Sequence, residues 1–257
     1  MPPRSLRPVG VALVDKPAGP SSFAIVAALR RRTGARTGHA GTLDPFATGL
    51  MVLLSGAATR LAPCFVGLDK RYVTDVDLTS TTSTGDPEGD VLEQHAPPTR
   101  AELDAGLAGL RGEIELPIPA ASAVKIGGER AYKLARRGVA VDMPLRRSLV
   151  HSLDVITYRG EPDAVTAVQL ELHVTSGTYV RAIAQALRGH CTSLRRTAVG
   201  PFDVGEAALV DEVGLQRADE VLERLPGWAL ERVPAEIRGG VLALEAAQPA
   251  APGGSAA

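Results

Sequence analysis

The clearest alternation in the chain is VTAVQLELHVT, where Val168, Leu170, Leu172 and Val174 interleave with Gln169, Glu171, His173 and Thr175. Period-two spacing of this kind predicts a strand with one buried and one polar face, hence an antiparallel or mixed sheet. VGVALVDKPAG predicts a short apolar strand stopped by a Pro and Gly turn, and KRYVTDVDL and PLRRSLVHSLDVITY predict two more strands. FAIVAALRRRTG predicts a helix capped by Ser21 or Ser22, with bases in its last turn and Gly34 closing it. Thr99 and Glu102 have the spacing of a capping box before ELDAGLAGL. SGTYVRAIAQALRG opens a further helix with Thr178, Tyr179 and Arg181 in or near its first turn, and VDEVGLQRADEVLERL predicts a short amphipathic helix. GLMVLLSG is a buried strand or a short helix, which periodicity does not separate. TSTTSTGDPEGD predicts strand ends joined by turns, and VKIGGERAYKLARRG a Gly-Gly turn leading into a basic helix. Strands and helices mix without strict βαβ alternation, so the pattern favours an α+β fold with a mixed sheet over a doubly wound one.

Composition narrows the class. The 257 residues suffice for one large domain or one with a small appendage, and a 45% hydrophobic share excludes a mostly disordered chain. Only 4% of residues are aromatic, so the core must be aliphatic, and Tyr72, Tyr132 and Tyr179 stand out. Cys64 and Cys191 form no ligand cluster and no secretory leader precedes them, which points to a reducing cytoplasm. No apolar run approaches the roughly 18 residues of a membrane span. AAQPAAPGGSAA is a low-complexity tail with nothing to bury.

A net charge of −1 hides an uneven distribution. Residues 1–60 carry Arg4, Arg7, Lys16, Arg30, Arg31, Arg32, Arg36 and Arg60 against Asp15 and Asp44. Between 121 and 150, Lys125, Arg130, Lys133, Arg136, Arg137, Arg146 and Arg147 face Glu129 and Asp142, and after Pro201 the balance turns acidic. Such segregation permits a basic face on a neutral protein, the local requirement for binding nucleic acid.

Familiar chemistry is missing: there is no GxxxxGK[ST], no GxGxxG and no GxSxG, and the five histidines lack paired metal-ligand spacing. What remains is Asp44 in TGHAGTLDPFATGL, an acid among Gly38, Gly41, Gly49, hydroxyls and His39. Asp before Pro can simply begin a turn. The surrounding glycines instead suit close backbone approach to another molecule. A carboxylate held there as nucleophile or base needs a cation to stay ionised, since burial raises its pKa and an adjacent Arg lowers it by roughly 1–3 units. Arg181 is a candidate, although a solvent-facing helix arginine fits the pattern as well. Tyr72, between Lys70/Arg71 and a strand, suits either a core position or a platform on which a base stacks. Lys16 and His39 taken alone fit a solvated turn lysine and a loop histidine.

These stretches together resemble the tRNA pseudouridine-55 synthase (TruB) family. DKPAGPSS resembles its first motif, GHAGTLDPFATGLMVLLSGAATR its aspartate motif and KRYVTDVDLTSTTSTGDPEG its tyrosine motif. PAASAVKIGGERAYKLARRG resembles its thumb, VTSGTYVRAIAQAL its arginine motif, and LRRTAVGPF closes a match running from about Val9 to Phe202. The resemblance implies a pseudouridine synthase fold, a mixed, largely antiparallel sheet with flanking helices and loops and a thumb-like insertion at about 119–148. It implies that the chain isomerises uridine 55 in the T loop of tRNA, with Asp44 as the catalytic aspartate and no metal or small-molecule cofactor. Tyr72 would stack on the target base, Arg181 would pair with Asp44, His39 and Tyr179 would lie at the RNA-binding pocket, and Lys16 would support the strand-turn beneath it. Lys125, Arg130, Lys133, Arg136 and Arg137 would form an RNA-binding thumb. The expected organisation is a catalytic domain over 1–237 and a short tail over 238–257, with the family's PUA-like C-terminal domain absent or truncated. A monomeric, cytoplasmic enzyme acting on the tRNA T stem-loop, with no membrane partner, is expected. Two departures stand out: Ala121 occupies a position where the family often has tyrosine, and the expected lack of the C-terminal domain weakens the choice of tRNA over another RNA as the substrate of a synthase. A non-catalytic tRNA-binding or folding module with the same basic face is the alternative from another class.

Overall fold

The computed structural model describes residues 8–122, 124–131, 137 and 142–248. In chain order the first strands and helices are β1 (Gly10–Lys16), α1 (Ser22–Thr33), β2 (Thr37–His39), β3 (Thr48–Ser55) and α2 (Ala62–Val66). They continue with β4 (Lys70–Asp77), β5 (Ser80–Thr82), β6 (Val91–Gln94), α3 (Arg100–Ala108) and β7 (Gly112–Pro117). Then come β8 (Lys125–Ile126), β9 (Glu129–Arg130), β10 (Leu145–Glu161), β11 (Ala164–Val174) and α4 (Val180–Ala186). The last are β12 (His190–Val199), β13 (Phe202–Asp203), α5 (Ala218–Glu223), α6 (Gly227–Leu230) and α7 (Ala235–Ala246). The described residues fall into two compact units, one within 1–68 and 198–257 and the other within 69–197.

In the first unit, β3 is the ambiguous GLMVLLSG segment, and it is a strand because it pairs antiparallel on both edges. β1 runs along one edge from Gly10↔Ser55 to Lys16↔Gly49, and β2 along the other from Thr37↔Ser55 to His39↔Leu53. β3 is buried from Gly49 to Ser55, which explains why its sequence shows no polar alternation. Ser21 caps α1 by accepting from the Ala24 N–H, and Gly34 ends it at φ 65°. Val11, Leu13, Val52, Phe65, Phe202 and Val221 belong to one apolar core, which Val241 of α7 joins. α7 therefore runs through the expected 237/238 boundary, which falls inside a helix packed on that core.

In the second unit the strand order is β12-β4-β11-β10-β7, and β4–β11, β11–β10 and β10–β7 pair antiparallel. β11 is central among them, and its alternation is the predicted one: Val168, Leu170, Leu172 and Val174 are buried while Glu171 is exposed. Thr99 and Glu102 form the full capping box of α3. Gly127 and Gly128, both at positive φ, turn β8 into β9, so the Gly-Gly segment is a small hairpin. The basic helix predicted after it lies outside the described residues, as do Tyr132, Lys133 and Arg136.

Candidate active site

The Asp44 loop is held from below by a buried cation. Lys16, at the end of β1, is 0% exposed. Its ammonium donates to the carbonyl oxygens of Pro17 at 2.9 Å, Pro45 at 2.9 Å and Ala47 at 2.6 Å. The last two acceptors lie on the C-terminal side of Asp44, so the lysine is a clamp for this loop and no solvated turn residue. On the other side, the Ser22 hydroxyl both donates to the Leu43 carbonyl at 2.7 Å and accepts from the Leu43 N–H at 2.8 Å. Ser22 thus leaves the helix cap to Ser21 and ties α1 to the residue before Asp44. The Ala47 N–H donates to the Asp44 carbonyl at 3.2 Å, and the Gly19 N–H to that of Pro45 at 2.9 Å.

Asp44 itself is half-buried. These hydrogen bonds restrain the backbone on both sides of Asp44. Gly41 at φ 148° and Gly49 at φ 104° occupy backbone conformations that favour glycine, whereas Gly38 sits in β2. His39 ends β2, its Nδ1 accepts from the Gly41 N–H at 3.2 Å, and its ring meets Phe23 edge-on with centroids 6.4 Å apart. Phe23 is 78% exposed, an apolar surface beside His39 that sequence reasoning did not single out.

The second unit concentrates charge in its interior. Lys70, Thr74, Thr82, Asp86, Ser122, Arg181 and Arg196 are all buried there, and buried polar groups are more informative than exposed ones. Tyr72 is on the buried face of β4 with Lys70 and Thr74, opposite Leu172 of β11, while Arg71 points to the exposed face. Lys70 donates to the Ser176 hydroxyl at 2.9 Å, and burial, with Arg196 nearby, lowers its pKa to about 8. Lys70 and Arg71, which look alike in sequence, therefore do different work.

Arg181 lies in the first turn of α4 and is 3% exposed, so the solvent-facing alternative does not hold. Its guanidinium donates to the carbonyls of Thr84 at 2.6 Å and Ala121 at 2.9 Å, and lies 3.3 Å from the Asp86 carboxylate. Asp86 is in turn fixed by the Glu88 N–H at 3.0 Å and by the Thr84 hydroxyl. Asp86 was not legible as a site residue, because in GDPEGD it is one acid among several in a turn. Tyr179, just before α4, lines a shallow pocket with Ile114, Leu116, Pro117, Arg146 and Ala182. In the thumb segment Lys125 is exposed, and Arg137 makes a two-bond fork to Glu129, both at 2.9 Å.

The first unit thus carries a strapped acid loop, and the second an antiparallel sheet with an interior guanidinium on a short helix. The sequence matches the model of the TruB family pseudouridylate synthase N-terminal domain over residues 30–180, and the chain belongs to that family. It is 42% identical over 222 residues to the tRNA pseudouridine synthase B of Mycobacterium sp. (strain KMS), covering 81% of this chain and 74% of that protein. It is equally 42% identical to the protein of that name from Thermobifida fusca (strain YX), covering 80% and 75%. Among solved structures, a chain of a Cbf5-Nop10-Gar1 complex superposes with a TM-score of 0.58 at 28% identity, over 79% of this chain and 54% of that one. The chain thus spans about half the length of that structural relative.

Proposed function

We propose that this synthase acts on tRNA and converts uridine 55 of the T loop to pseudouridine, with Asp44 as the reacting carboxylate. The observation that carries the proposal is the clamp: a fully buried lysine and a buried serine spend their hydrogen bonds on the backbone around one half-buried aspartate. In the reaction the bond from ribose C1′ to uracil N1 breaks, the base turns, and C5 bonds to C1′; the proton on C5 is released and N1 takes up a proton. Atoms and oxidation state are conserved, so the chemistry draws on acid–base or nucleophilic assistance from a carboxylate. Asp44 either attacks C1′ or removes a proton from the sugar. The target base must leave its stack, and Tyr72 is proposed to pack on its face.

Arg181 is proposed as the cation that keeps Asp44 ionised, with Asp86 and two carbonyls fixing the orientation of its fork. His39 and Tyr179 are proposed to border the flipped nucleotide, and Lys125, Arg130, Lys133, Arg136 and Arg137 to contact phosphates as a thumb. The enzyme is proposed to work as a monomer in the cytoplasm; no described helix is long and apolar enough to cross a membrane. The test is to incubate the purified protein with an unmodified tRNA transcript and map carbodiimide adducts by primer extension. A single stop assignable to position 55 is expected. No adduct would favour a non-catalytic tRNA-binding module, and an adduct elsewhere would overturn the assigned target.

A further inference from the structure

We propose that Asp69, His151 and His173 form a binding site for one divalent transition-metal ion, of the zinc class, on the outward face of the second unit's sheet. The three residues come from three separate stretches, which is why their spacing in sequence gives no hint of a ligand set. Asp69 immediately precedes β4, His173 sits near the end of β11 opposite Arg71, and His151 lies in β10. The β10–β11 register slips between Val150↔Val174 and Ser152↔His173, so His151 is the extra residue of a bulge. Bulges re-aim a side chain, and this one brings the His151 ring to 4.6 Å from that of His173 at an interplanar angle of 38°.

One donor atom from each of the three residues lies within 4.8 Å of the others. The His151 Nε2 and an Asp69 carboxylate oxygen are already 3.0 Å apart. Tetrahedral zinc, with bonds of about 2.0–2.1 Å to imidazole and carboxylate, sets neighbouring donors about 3.3 Å apart, so a set already within 4.8 Å has at most about 1.5 Å left to close. Two imidazoles and one carboxylate suit zinc, cobalt or nickel better than magnesium or calcium, and leave a fourth position for water. Arg71 is the opposing charge on this face, and its exposed side chain is free to swing toward solvent.

The experiment is a Zn²⁺ titration of the EDTA-stripped full chain by calorimetry, repeated with His151→Gln, His173→Gln and Asp69→Asn. One ion per chain is expected, with each variant weakening it at least about tenfold, while His95→Gln leaves it unchanged. A readout independent of variants is acylation of histidines by diethyl pyrocarbonate on the unmutated protein, read by mass spectrometry. Zn²⁺ should protect His151 and His173 and leave His95 as reactive as before. Absence of saturable binding, equal affinity across the variants, or unprotected His151 and His173 would overturn the site.

Discussion

Replacing Lys16 with methionine keeps most of the apolar stem and deletes the ammonium, leaving the carbonyls of Pro17, Pro45 and Ala47 without that donor. Net contributions of hydrogen bonds to charged groups are about 1.5–3 kcal/mol each, so these three contribute up to about 9 kcal/mol. Against that, the variant no longer holds a fully buried cation, whose desolvation costs several kcal/mol. The balance is a destabilisation of about 2–4 kcal/mol. With a urea slope near 2 kcal/mol/M, the unfolding midpoint should fall by about 1–2 M. The more specific effect is on turnover, because two of the three acceptors, Pro45 and Ala47, follow Asp44 within three residues. A displacement of about 1 Å at a reacting group costs on the order of 100-fold. Tritium released from tRNA labelled at uracil C5 measures turnover directly, since C5 loses its hydrogen when it bonds to C1′. We expect kcat to drop about 10- to 100-fold in the folded variant with KM changed less than about threefold. A folded variant with unchanged kcat would show that the clamp does not position Asp44, and the reasoning would fail.

Further outcomes follow from the second unit. Arg181→Lys keeps the charge but not the fork, so it should lower turnover at least about tenfold and stability by about 1–3 kcal/mol, measured by tritium release and urea unfolding. Lys70 has its pKa lowered to about 8 from 10.5 by burial and by Arg196. Because the unfolded chain then binds more protons between about pH 8 and 10.5, this group makes stability rise with pH across that window, by on the order of 3 kcal/mol. Lys70→Met should remove that rise relative to the parent protein, and parallel stability profiles from pH 7.5 to 10.5 would count against it. Thr99→Ala breaks the capping box of α3 and should cost about 1 kcal/mol in urea unfolding while tritium release is unchanged.

Local signals were legible where a single physical rule dominates. Ser21 and Gly34 around α1, the Thr99–Glu102 box and the β11 alternation all follow from nearest neighbours in sequence. β12 was not assigned as a strand, because its buried row of Leu194, Arg196 and Ala198 includes an arginine at 2% exposure, and buried Cys191 is out of step with that row. α7 was absorbed into the tail because Gly239 and Gly240 lower its helix propensity, and its place in the core is a tertiary fact. Asp44 and Arg181 were singled out by asking what an acid set among glycines is for beyond a turn, and which cation would keep it ionised. Asp86 and the buried state of Lys16 were not, since nothing in DKPAG or GDPEGD marks a charge that folding takes out of water. Lys133 and Arg136 of the expected thumb lie outside the described residues, so their role rests on the family resemblance.

The most direct test of the account is Asp44→Asn, a change that keeps the side chain's size and removes its ability to carry charge. Single-turnover tritium release from labelled tRNA, run beside filter binding of the same tRNA, separates chemistry from affinity. The account predicts no release above background with tRNA binding within about threefold of the unmutated protein, as expected when an interaction serves the chemical step alone. Release at the unmutated rate would contradict it, because the reacting carboxylate would then have to be another residue.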